Sequence, residues 1–263
     1  MEQKQRKWWA YILIFFISQF LAIALPFGLR AVGISLSANM FLSMGLMVAN
    51  LLAIGLFLLY CPAEVTWAST LSGLRDRNLR RSALVFLTAI PVCLLVNLIQ
   101  EAFFPDIPDL VGDEAFKNIM YNPLGLLTVA LIGPLSEELL FRGGVQTCIH
   151  RKYATQGPAA AIGFSAVLFS LIHLNPAQMP VAFILGLLLG FAYWWTGSLA
   201  APVCIHAFNN SFACLLAYLS PDDDSLINFL GGNEGATIAA VVSVFALVLL
   251  FRQIRAEEHP KEM

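Results

Sequence analysis

The chain contains 263 residues, of which 59% are hydrophobic and only 12% are charged. An ordinary soluble domain is roughly 45–50% apolar and about 25% charged, so a water-soluble globule is excluded and a lipid bilayer is the expected solvent. The net charge of −2 offers no basic face for phosphates, which excludes nucleic acid as a partner. The five cysteines form no CxxC pair, and we interpret them as small apolar residues rather than a disulfide or zinc framework.

Eight segments are long and apolar enough to be membrane spans, each of which needs about 20 residues. We therefore predict an all-α, polytopic membrane protein with about eight transmembrane helices in a bundle. Residues 1–263 are predicted to form a single membrane domain, with a motif-bearing core at about 123–219. The predicted spans are 8–29, 38–60, 82–104, 123–142, 158–174, 181–196, 199–219 and 236–251.

Basic residues fall mostly in alternate loops of this arrangement. Short cytoplasmic loops accumulate Lys and Arg. With the N-terminus inside, thirteen of the fifteen Lys and Arg residues lie on the cytoplasmic side, and only Arg30 and Lys117 lie outside. We therefore predict that both termini are cytoplasmic, and the short loops favour a bacterial plasma-membrane protein.

The fourth span contains two adjacent glutamates behind a Gly-Pro pair, in the stretch LIGPLSEELLFRGG. On a helix, Glu138 and Arg142 are four residues apart and share a face, which predicts an ion pair. Glu137 points about 100° away and is the less neutralised carboxylate. Pro134 lacks a backbone N–H, so we expect a local opening of the helix and access for water. An alternative is that these charges only snorkel to the cytoplasmic surface.

Two later spans carry histidines. Phe169 and His173 lie four apart in FSLIH, and His206 and Asn210 lie one turn apart in CIHAFNNSF. Each pair by itself is more typical of hydrogen bonds between membrane helices than of catalysis. The combination of these pairs with Glu137 indicates a functional site, because ionisable groups within membrane spans usually face the bundle interior and take part in function.

A carboxylate, two imidazoles and an amide in a low-dielectric cavity are the groups that a peptide hydrolase requires. Glu137 can take a proton from water, and a histidine can share that proton or pass it to the leaving amine. His206 and Asn210 can donate hydrogen bonds to the developing oxyanion. The chain contains no GxSxG or HExxH sequence and no aspartate within a span, which disfavours the usual alternative proteases.

With these residues, the sequence resembles the CAAX-prenyl-protease and bacteriocin-processing family of intramembrane endopeptidases, also called the Abi family. The family signature is Glu-Glu-x-x-x-Arg, then Phe-x-x-x-His, then His-x-x-x-Asn, each on its own transmembrane helix. All three motifs are present in order, beginning at Glu137, Phe169 and His206. The matching region covers about 123–218.

The resemblance implies an eight-helix bundle with an intramembrane cavity open to the cytoplasm and the lipid. It implies that Glu137 and His173 activate water, that His206 and Asn210 stabilise the oxyanion, and that the remaining motif residues are supporting. Those supporting residues are Glu138, Arg142 and Phe169. The expected partners are the lipid bilayer and a membrane-associated protein or peptide substrate, either prenylated CaaX-type or a bacterial peptide.

Three alternatives stay open from the sequence. The resemblance favours a mechanism without a metal or other cofactor, yet Glu137, His173 and His206 would also suffice as three zinc ligands. A proton-coupled transporter would use the same buried groups as a relay. A non-catalytic scaffold or immunity protein would keep the fold without the reaction. For catalysis, Glu137 and His173 must meet, which requires either that the helix starting at Pro158 begins in the cytoplasm or that Arg142 lies well inside the membrane. We predict both.

Overall fold

The computed structural model describes residues 7–34, 37–60, 76–110, 113–153, 155, 157–219 and 225–258. Within these ranges all regular structure is helical, which confirms the all-α prediction. The helices are numbered along the chain. They are α1 (Trp8–Ala31), α2 (Ala38–Tyr60), α3 (Asp76–Phe103), α4 (Asp113–Met120), α5 (Pro123–Lys152), α6 (Pro158–Leu171), α7 (Met179–Thr196), α8 (Ala200–Leu219), α9 (Leu226–Phe229) and α10 (Gly232–Glu258).

Seven of the described helices are long and apolar enough to cross a membrane, namely α1, α2, α3, α5, α7, α8 and α10. Each overlaps a predicted span, although α5 and α10 are longer than the spans 123–142 and 236–251 that were predicted for them. The surface of α10 agrees with a lipid environment, since Ile238, Val241 and Phe245 are each more than 60% exposed. Large apolar side chains at such exposure need an apolar solvent. The protein is therefore an integral membrane protein.

The span predicted over 158–174 is too long, because α6 contains only 14 residues and ends at Leu171. At 1.5 Å per residue such a helix is about 21 Å long, less than the ~30 Å of a bilayer core. The chain leaves the helix because Leu174 adopts a left-handed backbone with φ of 51°. Pro176 also disfavours helical geometry at the residue before it. His173 consequently lies in the turn after α6 rather than within a helix.

The chain folds as two compact units. The first comprises Met1–Trp67 with Val111–Ser165, and the second comprises Ala68–Leu110 with Ala166–Met263. The glutamate motif therefore belongs to the first unit, and both histidine motifs belong to the second. The single domain predicted for residues 1–263 stays a prediction.

Within the first unit, α1 packs closely on α2 and α5. The ring of Tyr11 is fully buried, and its centroid lies 5.7 Å from that of Phe57 and 5.5 Å from that of Tyr60. A Cβ added at Gly144 of α5 would lie 2.5 Å from the Tyr11 ring, so only glycine allows this approach. This contact fixes α1 against the part of α5 that follows the glutamates.

The core of the second unit lies where α3, α7 and α8 meet. Val85, Leu189 and Ile205, one from each helix, are fully buried there. The Arg81 guanidinium packs over the Trp195 ring at 5.3 Å from its centroid, and its Nη1 donates to the Trp195 carbonyl oxygen at 3.2 Å. The Arg81 contacts tie α3 to α7, and the burial of Ile205 holds α8, and with it His206, against this core.

Candidate active site

The two adjacent glutamates lie on an α-helical turn of α5 between two π-helical stretches. Thr128–Ile132 and Leu139–Gln146 are π-helical, and Gly133–Glu138 between them is α-helical. Pro134 lacks the N–H that would close the preceding turn. π-Helical turns are wider than α-helical ones and are frequent at functional sites. The opening that the Gly-Pro pair predicts therefore takes the form of wider helical turns on both sides of the glutamates.

Glu138 and Arg142 form an ion pair that is closed off from the surface of the protein. Nη1 of Arg142 donates to Oε1 of Glu138 at 2.9 Å, and both side chains are 0% exposed. The four-residue spacing predicted this contact, whereas the snorkelling alternative is wrong for Arg142 because its guanidinium is buried. Removing one partner of such a pair leaves a buried charge uncompensated, which costs about 3–5 kcal/mol. The pair is suited to stabilise α5 rather than to react.

Glu137 differs from its neighbour in being half-buried. The residue before it anchors the helix, because Oγ of Ser136 donates to Oδ1 of Asn50 on α2, and both side chains are buried. Nδ2 of Asn50 in turn donates to the carbonyl oxygen of Leu46 at 2.9 Å. This bond ties α5 to α2 one residue before Glu137 and so fixes the backbone that carries the carboxylate.

Sequence reasoning missed both members of this anchor. The available signal was Asn50 itself, an amide within an otherwise apolar span, since such amides usually bridge two membrane helices. Its partner Ser136 offered no signal, because serine in a helix commonly bonds only to its own preceding turn.

The imidazole of His173 is held in one orientation. Its Nδ1 lies 2.8 Å from the carbonyl oxygen of Phe169. A carbonyl oxygen only accepts hydrogen bonds, so Nδ1 carries the proton, and in the neutral ring Nε2 is the basic nitrogen. The bond also satisfies one of the carbonyl groups left unpaired at the end of α6. The turn therefore presents a histidine whose Nε2 can accept a proton.

Phe169 lies between the two histidines of the second unit. Its ring is fully buried and contacts the His173 ring at 5.0 Å and the His206 ring at 5.5 Å between centroids, both edge to face. Gly186 of α7 allows this packing, because a Cβ there would lie 3.3 Å from Cδ1 of Phe169. The Phe of the second motif thus brings together the histidines of the second and third motifs.

His206 and Asn210 lie one turn apart on α8. His206 is buried, and Asn210 is half-buried. Oδ1 of Asn210 accepts a hydrogen bond from Nδ2 of the neighbouring Asn209 at 3.4 Å. Because this bond uses the carbonyl end of the Asn210 amide, its NH₂ end is the one oriented to donate elsewhere. An amide NH₂ group is one of the donor types that an oxyanion site can use.

Among the residues that the structure describes, no group of three or more His, Cys, Asp or Glu side chains is arranged to hold a metal ion. The structure brings Glu138 to Arg142, and Phe169 to both His173 and His206. That Glu137 and His173 meet stays a prediction.

The fold and the motif order define a class, an all-α polytopic membrane protein that carries ionisable motifs on α5, at the end of α6 and on α8. Residues 120–212 match the family model described as Type II CAAX prenyl endopeptidase Rce1-like. The chain is also 32% identical over 103 residues to the membrane-embedded CAAX protease MroQ of Staphylococcus aureus (strain USA300). Both matches support the family resemblance that the three motifs carry, and residues 120–212 are similar to an Rce1-like CAAX protease domain.

The similarity to MroQ covers 38% of this chain and 42% of the relative, so the chain spans less than half the length of the curated protein it matches. No solved structure matches the chain.

Proposed function

We propose that this protein is an intramembrane endopeptidase that hydrolyses peptide bonds with water activated by Glu137 and His173. The single observation that carries the proposal is the fixed orientation of His173, whose Nδ1 is bound to the Phe169 carbonyl oxygen at 2.8 Å. That bond leaves Nε2 as a base within a segment that matches a protease family.

In the proposed reaction the Glu137 carboxylate removes a proton from a water molecule. The water oxygen forms a bond to the scissile carbonyl carbon while the carbonyl π electrons move to its oxygen. His206 and the NH₂ group of Asn210 donate hydrogen bonds to that oxyanion. His173 takes at Nε2 the proton that Glu137 removed from the water, and delivers it to the amide nitrogen. The oxyanion electrons re-form the carbonyl as the C–N bond breaks, and the new carboxylic acid loses its remaining proton, so that a carboxylate and an amine are released.

The supporting residues act without touching the substrate in this account. The buried pair of Glu138 and Arg142 neutralises the charge next to the reactive carboxylate and holds the turn between the π-helical stretches. Phe169 fixes the spacing of the two imidazoles. The mechanism needs no metal, because a glutamate base and hydrogen-bond donors account for each proton and charge.

The proposed substrate is a membrane-associated protein or peptide, which agrees with the similarity to MroQ, a membrane-embedded CAAX protease. Whether the substrate is a prenylated CaaX-type protein or a bacterial peptide is an outcome of the test below. The distribution of Lys and Arg supports a multi-pass membrane protein with both termini in the cytoplasm, and the short loops favour the bacterial plasma membrane.

The test compares protein termini in host membranes that contain equal amounts of wild type, Glu137→Gln or Glu234→Gln. Glu234 is an exposed glutamate on α10 and serves as the matched control. We expect new termini with wild type and the control that disappear with Glu137→Gln, and their sequences identify the substrate. New termini that persist in Glu137→Gln would contradict the mechanism. Substrate flux without new termini would favour a transporter, and a phenotype retained by Glu137→Gln would favour a scaffold.

A further inference from the structure

The turn that carries His173 has little backbone support of its own. After α6 ends, the N–H groups of His173 and Leu174 reach only the carbonyl oxygens three residues back, at 3.3 Å in both cases. Leu174 has a φ of 51°, a left-handed conformation that is unfavourable for a branched side chain. Such a conformation persists only where surrounding contacts determine it.

Those contacts converge on Asn175, whose side chain is fully buried. Nδ2 of Asn175 donates to Oδ1 of Asp109 at 2.8 Å. Oδ1 of Asn175 accepts from the backbone N–H groups of Leu110 at 3.2 Å and Ala177 at 3.3 Å. The amide therefore uses both of its ends to tie the turn to the segment that follows α3.

A second bond supports the same turn from α3 itself. Nε2 of Gln100 donates to the carbonyl oxygen of Ala177 at 2.6 Å. The backbone oxygen of Asn175 also accepts from the N–H groups of Gln178 and Met179, both at 3.0 Å, and so begins α7. Most of the bonds that fix the turn are therefore made by Asn175, two residues after the histidine, and Gln100 adds one at Ala177.

We propose that Asn175, acting through Asp109, is the positioning residue that orients His173 for proton transfer. The inference rests on the proposed function, since it concerns the same histidine. The bond from Nδ1 to Phe169 fixes the rotation of the imidazole, while Asn175 fixes the backbone from which the imidazole projects. Both are needed because a proton acceptor must be held within a fraction of an ångström of its productive position.

The pair can be tested by exchanging its donor and acceptor. Asn175→Asp alone places a second carboxylate opposite Asp109, and we expect turnover (kcat) to fall about 30- to 100-fold with little change in KM. Asp109→Asn alone keeps an acceptor at position 109, so it should stay within about threefold of wild type. The double variant Asp109→Asn with Asn175→Asp again pairs a donor with an acceptor, and kcat should recover to within about fivefold.

Asp109→Ala tests the same bond from its exposed end, where substitution leaves the core of the protein intact. It removes the acceptor of the Asn175 Nδ2 group, so we expect a lower kcat. Asp106→Ala in the same segment serves as the control and should match wild type.

The substrate is a peptide that spans the cleavage site found from the termini. Each variant is assayed as the full chain in liposomes, and thermal unfolding in detergent measures its folded fraction.

The inference is overturned if folded Asn175→Asp and Asp109→Ala turn over like wild type, or if the exchanged pair fails to recover while Asp109→Asn is normal. A loss explained by a lower folded fraction alone would also overturn it. Glu137→Gln in the same assay separates the two claims. If Glu137→Gln is inactive and Asn175→Asp is not, only the positioning role fails; if Glu137→Gln is active, the proposed function fails.

Discussion

Nδ1 of His173 lies 2.8 Å from the backbone carbonyl oxygen of Phe169, four residues earlier in the chain. This one hydrogen bond caps α6, sets the tautomer of the imidazole and turns Nε2 into the proton acceptor. The Phe169 ring meanwhile contacts both His173 and His206. Phe169 therefore has two roles: its backbone oxygen binds the His173 imidazole, and its ring packs against both histidines.

His173→Gln should lower turnover by about 10²- to 10⁴-fold, the usual contribution of a general acid or base. Glutamine keeps a polar group but cannot shuttle a proton at neutral pH. The measurement is kcat in liposomes for the mapped peptide, that is, the peptide that spans the cleavage site found from the protein termini. His150→Gln on α5 is the matched control and should retain activity. Equal activity of His173→Gln and wild type would show that the imidazole takes no part in proton transfer.

Asn210→Ala should reduce kcat by about 10²- to 10³-fold if its NH₂ group stabilises the oxyanion. Asn209→Ala should have a smaller effect, because Asn209 acts only by orienting the Asn210 amide through a long bond of 3.4 Å. Steady-state kinetics of the two variants measure this difference. A larger loss from Asn209→Ala than from Asn210→Ala would contradict this role of Asn210 and would indicate that Asn209 is the donor.

Glu138→Ala should lower the free energy of unfolding by about 3–5 kcal/mol, because it leaves the Arg142 guanidinium buried without its counter-charge. The comparison is with Glu257→Ala, which breaks the ion pair with Arg80. There the Arg80 side chain is 66% exposed, and we expect a change below about 1 kcal/mol. Denaturant unfolding in detergent measures both. Similar losses for the two variants would contradict a buried, structural pair on α5.

Gly144→Ala should destabilise the first unit by about 1–3 kcal/mol, because the added Cβ would lie 2.5 Å from the buried Tyr11 ring. Gly163→Ala on α6 is the control. No atom lies within 4 Å of a Cβ at that position, and alanine in an open helical site should be neutral or stabilising by up to about 1 kcal/mol. The unfolding midpoints of the two variants in detergent measure these effects. An unchanged midpoint for Gly144→Ala would show that α1 does not pack on Gly144 as described.

The features that sequence predicted are those that depend on local spacing. Helical periodicity places Glu138 one turn from Arg142, and the ion pair follows from that spacing alone. The spans follow from the length of apolar runs, and seven of them are present as helices.

The features that sequence did not predict depend on contacts between distant segments. The second π-helical stretch of α5, Leu139–Gln146, lies where α1 packs on Gly144, and no periodicity signals that approach. The end of α6 was misplaced because the apolar run continues to Leu174, whereas the backbone turns where Asn175 bonds to Asp109. Only the Asn-Pro pair after the run indicated that stop.

The most direct test of the central claim is cleavage of the mapped peptide by the purified full chain in liposomes, with wild type compared with Glu137→Gln in the presence and absence of a chelator. The account predicts that wild type cleaves the peptide with or without the chelator and that Glu137→Gln cleaves it in neither condition. Cleavage by Glu137→Gln at the wild-type rate would contradict the role of Glu137 as base. Loss of wild-type activity on chelation, with recovery on adding zinc, would contradict the metal-free mechanism.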